Sequence, residues 1–137
     1  MKRIYSSERK ERIVEMEQSI LLVDDAKFAR RIALKALHNG GFDNVTEAVN
    51  AAEAMTLFKN NRPDLVLLDI TLPDNSDLTL LENMLKERPE AKIIMTSAIG
   101  QSLIIQDALN AGAKAFITKP FEEKEFLKEI FRVLEEN

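Results

Sequence analysis

The sequence predicts a doubly wound α/β domain, a five-stranded parallel sheet covered by helices on both faces. Strand-like and helix-like patterns alternate from residue 19 onward. The strongest strands, Ile20-Leu21-Leu22-Val23 and Leu65-Val66-Leu67-Leu68, are unbroken apolar runs, as expected of strands buried on both sides. Both runs end on acids, Asp24-Asp25 and Asp69.

Each element follows from periodicity and its punctuation. Ser19–Val23 reads as a strand, and Lys27–Leu37 as a helix with Ile32, Ala33, Ala36 and Leu37 at helical spacing, stopped by Gly40-Gly41. Val45–Val49 is a short strand. Ala51–Asn60 is a helix with Ala54, Leu57 and Phe58 inward, broken by Arg62-Pro63. Leu65–Leu68 is a strand. Leu78–Lys86 is a helix carrying Leu78, Leu81, Met84 and Leu85 on one face, closed by Pro89. Lys92–Thr96 is a strand, Ser102–Asn110 a helix ended at Gly112, and Ala115–Thr118 the last strand. Glu122–Leu134 closes the chain as a helix with Phe126, Leu127, Ile130, Phe131 and Leu134 at 3.6-residue spacing. Five β-α units joined by right-handed crossovers give the doubly wound sandwich.

Composition narrows the function. The 137 residues suit one domain with its own core. No apolar run approaches the ~20 residues of a membrane span, and the start, MKRIYSSERKER, lacks the apolar stretch of a secretory signal. With no cysteine and one histidine, His38, thiol chemistry, thiolate zinc sites and His-based triads have little to work with. The lack of cysteine suits a reducing cytoplasm. The net charge of −4 argues against a dedicated nucleic-acid binder. Residues 1–12 carry +3, so the rest carries −7. Residues 1–17 therefore read as a charged extension, flexible or helical, ahead of a domain spanning 18–137.

In a doubly wound sheet, ligands sit beyond the carboxyl ends of the strands. Asp24, Asp25, Asp69, Ser97 and Lys119 all fall on that edge. One acid at a strand end is commonly just solvated, but the set is harder to dismiss. Three clustered carboxylates raise one another's pKa unless a cation joins them. An oxygen-only donor set favours Mg²⁺ or a similar hard ion. A divalent ion beside a nucleophilic aspartate suits phosphoryl transfer, with Lys119 and the Ser97 hydroxyl available to phosphoryl oxygens.

The segments LLVDD (21–25), LLDITLP (67–73), IIMTSAIG (93–100) and AFITKPF (115–121) together resemble the receiver domain of two-component response regulators, of the single-domain chemotaxis-regulator kind, over about residues 18–136. The resemblance implies a (βα)5 flavodoxin-like receiver fold with Asp69 as phosphoacceptor. It implies Mg²⁺ held by Asp24, Asp25, Asp69 and the backbone carbonyl of Thr71. Ser97 would be the switch hydroxyl, with small Ala98 leaving access to it. Lys119 would contact the phosphoryl group, Lys119–Pro120 would be a cis peptide, and Phe116 would be the aromatic switch residue. Thr71 and Ile99 would tune dephosphorylation. The family usually has glycine eight residues beyond the acceptor; Asp77 stands there, so Asn75 or Asp77 is expected to supply any positive φ the loop needs.

The implied function is a phosphorylation-dependent signalling switch in the cytoplasm, charged by a sensor histidine kinase or phosphotransfer protein and read by a downstream output protein. A monomer is expected, with a dimer as the alternative. With no further domain after residue 137, output would pass through protein contact or onward phosphate transfer. The alternative function is an aspartyl-phosphate phosphohydrolase or phosphotransferase. Such enzymes resemble a D-x-D arrangement, and the second position here is Thr71, which argues against a turnover enzyme. A nucleotide or flavin module would want a Gly- or Ser/Thr-rich loop after the first strand, where Asp24-Asp25-Ala26-Lys27-Phe28 stands. His38 reads as a surface or capping residue, and Leu103, Ile104, Ala108 and Leu109 as core.

Overall fold

A computed structural model describes residues 2–4, 13–15, 18–75, 77–98 and 102–136. In chain order the elements are β1 (Lys2–Ile4), β2 (Ile13–Glu15), β3 (Ile20–Val23), α1 (Lys27–Asn39), β4 (Val45–Ala48), α2 (Ala51–Asn61), β5 (Leu65–Asp69), α3 (Thr79–Glu87), β6 (Ile93–Ala98), α4 (Ser102–Ala111), β7 (Ala115–Lys119) and α5 (Glu123–Glu135). The five strands from β3 onward form one parallel sheet in the order β4-β3-β5-β6-β7. The order reverses direction between β3 and β5, which opens a crevice at their carboxyl ends.

Two apolar layers hold the sheet. One contains Leu21, Val23, Val66, Leu68, Ile93 and Met95 with Ala54, Phe58, Leu81 and Met84 of α2 and α3, and Ala108 of α4. The other contains Ile20, Leu22, Leu65, Leu67, Ile94 and Ile117 with Ala33 and Leu37 of α1 and Phe126 and Ile130 of α5. Alternate residues of each strand enter opposite layers, so a strand buried on both sides must be apolar throughout. That is why β3, β5 and most of β6 read as continuous runs. These strands can turn polar only at their ends, and the carboxyl edge is where the acids stand.

Helix ends follow local chemistry. Asn50 caps α2, its side chain accepting from the Glu53 N–H at 2.8 Å. Arg62 closes α2 in the left-handed region at φ 45°, stepping out just before Pro63. The guanidinium of Arg88 lies 4.8 Å from the centre of the Phe58 ring and covers the end of that helix. His38 is a surface residue, its Nδ1 2.7 Å from Asp43 Oδ1. No helix among the described residues is long and apolar enough to cross a membrane.

Two expectations change. The charged segment 1–17 reads as flexible or helical, but its described stretches are extended. β1 pairs antiparallel with β2, Lys2 opposite Glu15 and Ile4 opposite Ile13, in a sheet separate from the main one. The β-branched Ile4, Ile13 and Val14 favour that extended backbone. Asn75 does not adopt positive φ; Arg62 is the non-glycine that does among the described residues, and the φ of Asp77 turns on Ser76, which lies outside them. The loop instead closes through a Leu72–Asn75 bridge, and Asp77 Oδ1 accepts from the Thr79 N–H at 2.9 Å.

Gly112 ends α4 at φ +118°, a conformation costly for any residue with a Cβ, and an added methyl would sit 2.8 Å from Leu85 Cδ1. Gly112→Ala should therefore destabilise the domain by about 1–2 kcal/mol, a fall in Tm of roughly 3–8 °C. Thermal melts of both proteins check this; an unchanged Tm would show that the turn relaxes freely.

Candidate functional site: an acid cluster with one lysine at the sheet edge

Asp24 follows β3 directly, and its N–H extends the ladder to the Ala48 carbonyl at 3.0 Å. Its carboxylate is 5% exposed and fully engaged: Oδ1 accepts from the Ala26 N–H at 2.9 Å, and Oδ2 from Lys119 Nζ at 2.6 Å. Asp69 ends β5 and is 7% exposed; Oδ1 accepts from the Thr71 N–H at 3.2 Å and Oδ2 lies 3.5 Å from Lys119 Nζ. Each acid thus bends the chain out of its strand by bonding the amide two residues on, as Asp turns do. Asp25 is exposed beside them, and one oxygen from each of Asp24, Asp25 and Asp69 lies within 4.8 Å of the others.

Burial pushes the Asp69 carboxyl up from its ordinary 3.8 to about 6, and the negative Asp24 adds to the rise. The Thr71 N–H and the Lys119 ammonium pull the other way without cancelling it. One lysine against three carboxylates leaves the site short of positive charge. An oxygen-only donor set of this kind, one member open to water, fits a hard divalent cation that keeps part of its hydration shell.

Strand parity sorts the remaining residues. Asp24, Asp69, Thr96 and Lys119 fall in step with the residues of the α1/α5 layer, whereas Ser97 and Phe116 fall in step with the α2/α3/α4 layer. Ser97 is 1% exposed, with its hydroxyl 3.4 Å from the Ala98 carbonyl oxygen; Phe116 is half-buried against the second group of helices. The Lys119–Pro120 peptide is cis. Ile99 lies outside the described residues, as does the Leu103 side chain; Ile104 and Ala108 pack on the core while Leu109 is largely exposed.

Residues beyond the sequence-derived set frame the site. Arg30, on α1, donates from Nη1 to the Asp24 carbonyl at 2.8 Å and from Nε to Glu47 Oε1 of β4 at 2.9 Å, with its side chain 13% exposed. It pins the loop that presents Asp24 and Asp25. A signal existed: the first turn of α1 holds no acid, against the usual preference of a helix N-terminus, so cations there have work elsewhere. A cavity of about 390 Å³ opens beside Lys119 and Asp24, walled by Phe28, Ile32, Phe121 and Phe126. Phe28 and Ile32, one turn apart on α1, are 76% and 45% exposed at its rim.

A crevice at the switch point of a five-stranded parallel sheet, lined by paired acids and a lysine, defines a receiver of phosphoryl signals. Residues 20–131 match the response regulator receiver domain, and the chain belongs to that family. It is 43% identical to the chemotaxis protein CheY of Bacillus subtilis over 119 residues, 87% of this chain and 99% of that protein. It superposes on the receiver domain of NtrX from Brucella abortus with a TM-score of 0.82 and 31% identity, covering 87% of this chain and all of that one. A second structure, the CheX-CheY-BeF₃-Mg²⁺ complex from Borrelia burgdorferi, matches with a TM-score of 0.81 and 32% identity, over 87% and 90% of the two chains. The protein is a CheY-like phosphorylation-dependent switch of two-component signalling.

A buried Asp with a raised pKa adds most to stability below its unfolded value of 3.8, and that contribution is lost as pH rises through about 6. In EDTA, Asp69→Asn should therefore stabilise the fold at pH 8 by up to about 3 kcal/mol, with the gain gone below pH 4. Urea unfolding at the two pH values tests it; a pH-independent difference would place its origin outside the carboxylate charge.

Proposed function

We propose that Asp69 takes the phosphoryl group. The observation that carries this is the unequal engagement of the two buried acids. Both oxygens of Asp24 are tied, at 2.9 and 2.6 Å, while Asp69 Oδ2 has, among the described residues, the looser Lys119 contact at 3.5 Å. Asp24 is suited to anchor charge and Asp69 to react. An Asp69 oxygen attacks the phosphorus of a phosphohistidine; the new P–O bond forms as the P–N bond breaks. The bonding pair returns to the ring nitrogen, leaving neutral imidazole if the other nitrogen carries a proton. Lys119, already between the acids, has only to shift toward the incoming oxygens.

Asp24, Asp25, Asp69 and the Thr71 carbonyl are the groups that would hold Mg²⁺, which supplies offsetting charge for the acids and phosphoryl oxygens. The Mg²⁺ in the Borrelia complex supports that choice of metal. Ser97 is proposed as the hydroxyl that turns to the phosphoryl group, drawing on Phe116 along the same sheet face. Thr71 and Ile99 tune the return by hydrolysis, because neither an isoleucine nor a threonine positions water as an acid or amide would. The domain division proposed is 18–137 as the switch and 1–17 as an appendage, a reading supported by the family match over residues 20–131. The product is a conformational state read by an output protein, not a turned-over substrate.

Incubation with Mg²⁺ and acetyl phosphate should add one hydroxylamine-labile phosphoryl group per chain, measured by intact mass. Asp69→Ala should add none while keeping its circular dichroism spectrum. Phosphate retained on the variant would move the acceptor elsewhere.

The donor is proposed to be a histidine kinase or phosphotransfer protein, and the apolar rim formed by Phe28 and Ile32 beside the acids offers it a foothold. An exposed aromatic at the centre of a contact commonly contributes more than 1 kcal/mol to binding. Phe28→Ala should slow transfer from a phosphorylated histidine kinase that charges the wild type by about tenfold, with the acetyl phosphate rate unchanged. Parallel slowing with both donors would place Phe28 in the chemistry and not in docking.

A further inference from the structure

The loop between β5 and α3 carries Thr71, whose N–H reaches Asp69, and it is fastened at an unexpected point. Asp74, at the turn after Pro73, accepts from the Ala51 N–H at 2.7 Å and the Ala52 N–H at 3.1 Å. Those are the first two amides of α2, an element 23 residues earlier in the chain. The other two amides of that helix end are served locally. Glu53 N–H donates to the Asn50 side chain at 2.8 Å, and Ala54 N–H to the Asn50 carbonyl at 3.0 Å. The Glu53 carboxylate in turn accepts from the Val49 N–H at 2.9 Å. The helix therefore has a cap of its own, and Ala52 is exposed enough for water to serve its amide. What Asp74 adds is a hold on the loop.

The rest of the loop is built differently. Ile70 and Leu72 are buried in the core, and Leu72 and Asn75 exchange backbone bonds at 2.9 and 3.2 Å. Asn75 Nδ2 donates to the Asp77 carbonyl at 3.0 Å, and Asp77 receives the Thr79 N–H. These bonds close the loop on itself. The two bonds of Asp74 reach α2 instead. Two amides at the positive end of a helix also hold the Asp74 carboxyl below the usual carboxylate range, so the acceptor stays charged.

We infer that Asp74 is a positioning residue of the switch: by clipping the loop to the N-terminus of α2, it sets where the Thr71 carbonyl stands relative to Asp24, Asp25 and Asp69, and so tunes the affinity for the divalent cation. This rests on the proposed reading that Thr71 and the three acids hold that cation.

The helix end supplies its own control. Proline suits the first helical position, and Asn50 before it is extended at φ −153° and ψ 172°, so Ala51→Pro should remove one donor and leave α2 intact. Asn50→Ala instead uncaps α2 without touching the loop. Mg²⁺ affinity is measured by ¹H–¹⁵N NMR titration of the full chain. Asp74→Ala should weaken it about 3–10-fold, Ala51→Pro by less, and the double variant no more than Asp74→Ala alone. Asp74→Asn, which keeps an acceptor oxygen, should recover part of the loss. Asn50→Ala should lower Tm yet bind Mg²⁺ as the wild type does. Wild-type affinity in Asp74→Ala, or equal weakening in Asn50→Ala, overturns the inference. If the wild type shows no saturable Mg²⁺ site, the cation reading fails by itself. The clip is then decided by amide hydrogen exchange at Thr71 and Leu72: faster in Asp74→Ala upholds it, and equal rates overturn it.

Discussion

The Lys119 ammonium, 2.6 Å from Asp24 and 3.5 Å from Asp69, is the interaction on which the site depends. Two carboxylates buried at one sheet edge repel each other, and water that would screen them is largely excluded. A lysine delivered by the last strand spans both. The balance is incomplete, because Asp69 keeps a raised pKa beside the lysine. That shortfall gives the edge its appetite for a further cation or for a reaction that consumes the free oxygen. A site neutral at rest would have no such bias.

The same edge explains why one fold can both hide and expose polar chemistry. A parallel sheet under two helical layers has no polar position along β3 or β5 until the strands end, so the acids at residues 24 and 69 stand at the first place available. Parity then splits the machinery. Asp24, Asp69 and Lys119 belong with the α1/α5 layer, while Ser97 and Phe116 belong with the layer of α2, α3 and α4. A change at Asp69 that draws Ser97 toward it pulls on a residue packed under the opposite helices. Chemistry on one face can in this way be read as packing on the other, provided that packing has two discrete arrangements.

Much of this was legible in the sequence, for reasons that differ by element. Doubly buried strands are apolar throughout, so β3 and β5 were plain, and strand-end acids needed only the topology rule to be brought together. The helices declared themselves through spacing and through breakers such as Arg62-Pro63 and Gly112. Segment 1–17 was hard to read because its charge density outweighs three β-branched residues whose pairing partners lie nine or eleven residues away. The loop of residues 70–78 misled for a related reason. The absent glycine suggested left-handed backbone at Asn75 or Asp77, while Asn75 is not left-handed and side-chain and backbone bonds tie the turn. Arg30 and Asp74 are not legible from periodicity, because they bond to Glu47 and Ala51, 17 and 23 residues away.

Arg30 and Asp74 are related in what they do. Arg30 reaches from α1 to the Asp24 carbonyl and Glu47 of β4, and Asp74 reaches from the far side of the crevice to the start of α2. β4 and α2 adjoin in sequence and are separated by only Val49 and Asn50. The two loops that carry the acids and Thr71 are thus tied, from opposite sides, to one short stretch of the chain. Neither tie spends a group of the site itself: Arg30 takes a backbone carbonyl, and Asp74 is outside the acid cluster. The backbone that bears the carboxylates is thus held by partners outside the acid cluster. A site that must change its chemical state repeatedly without losing its geometry requires that separation.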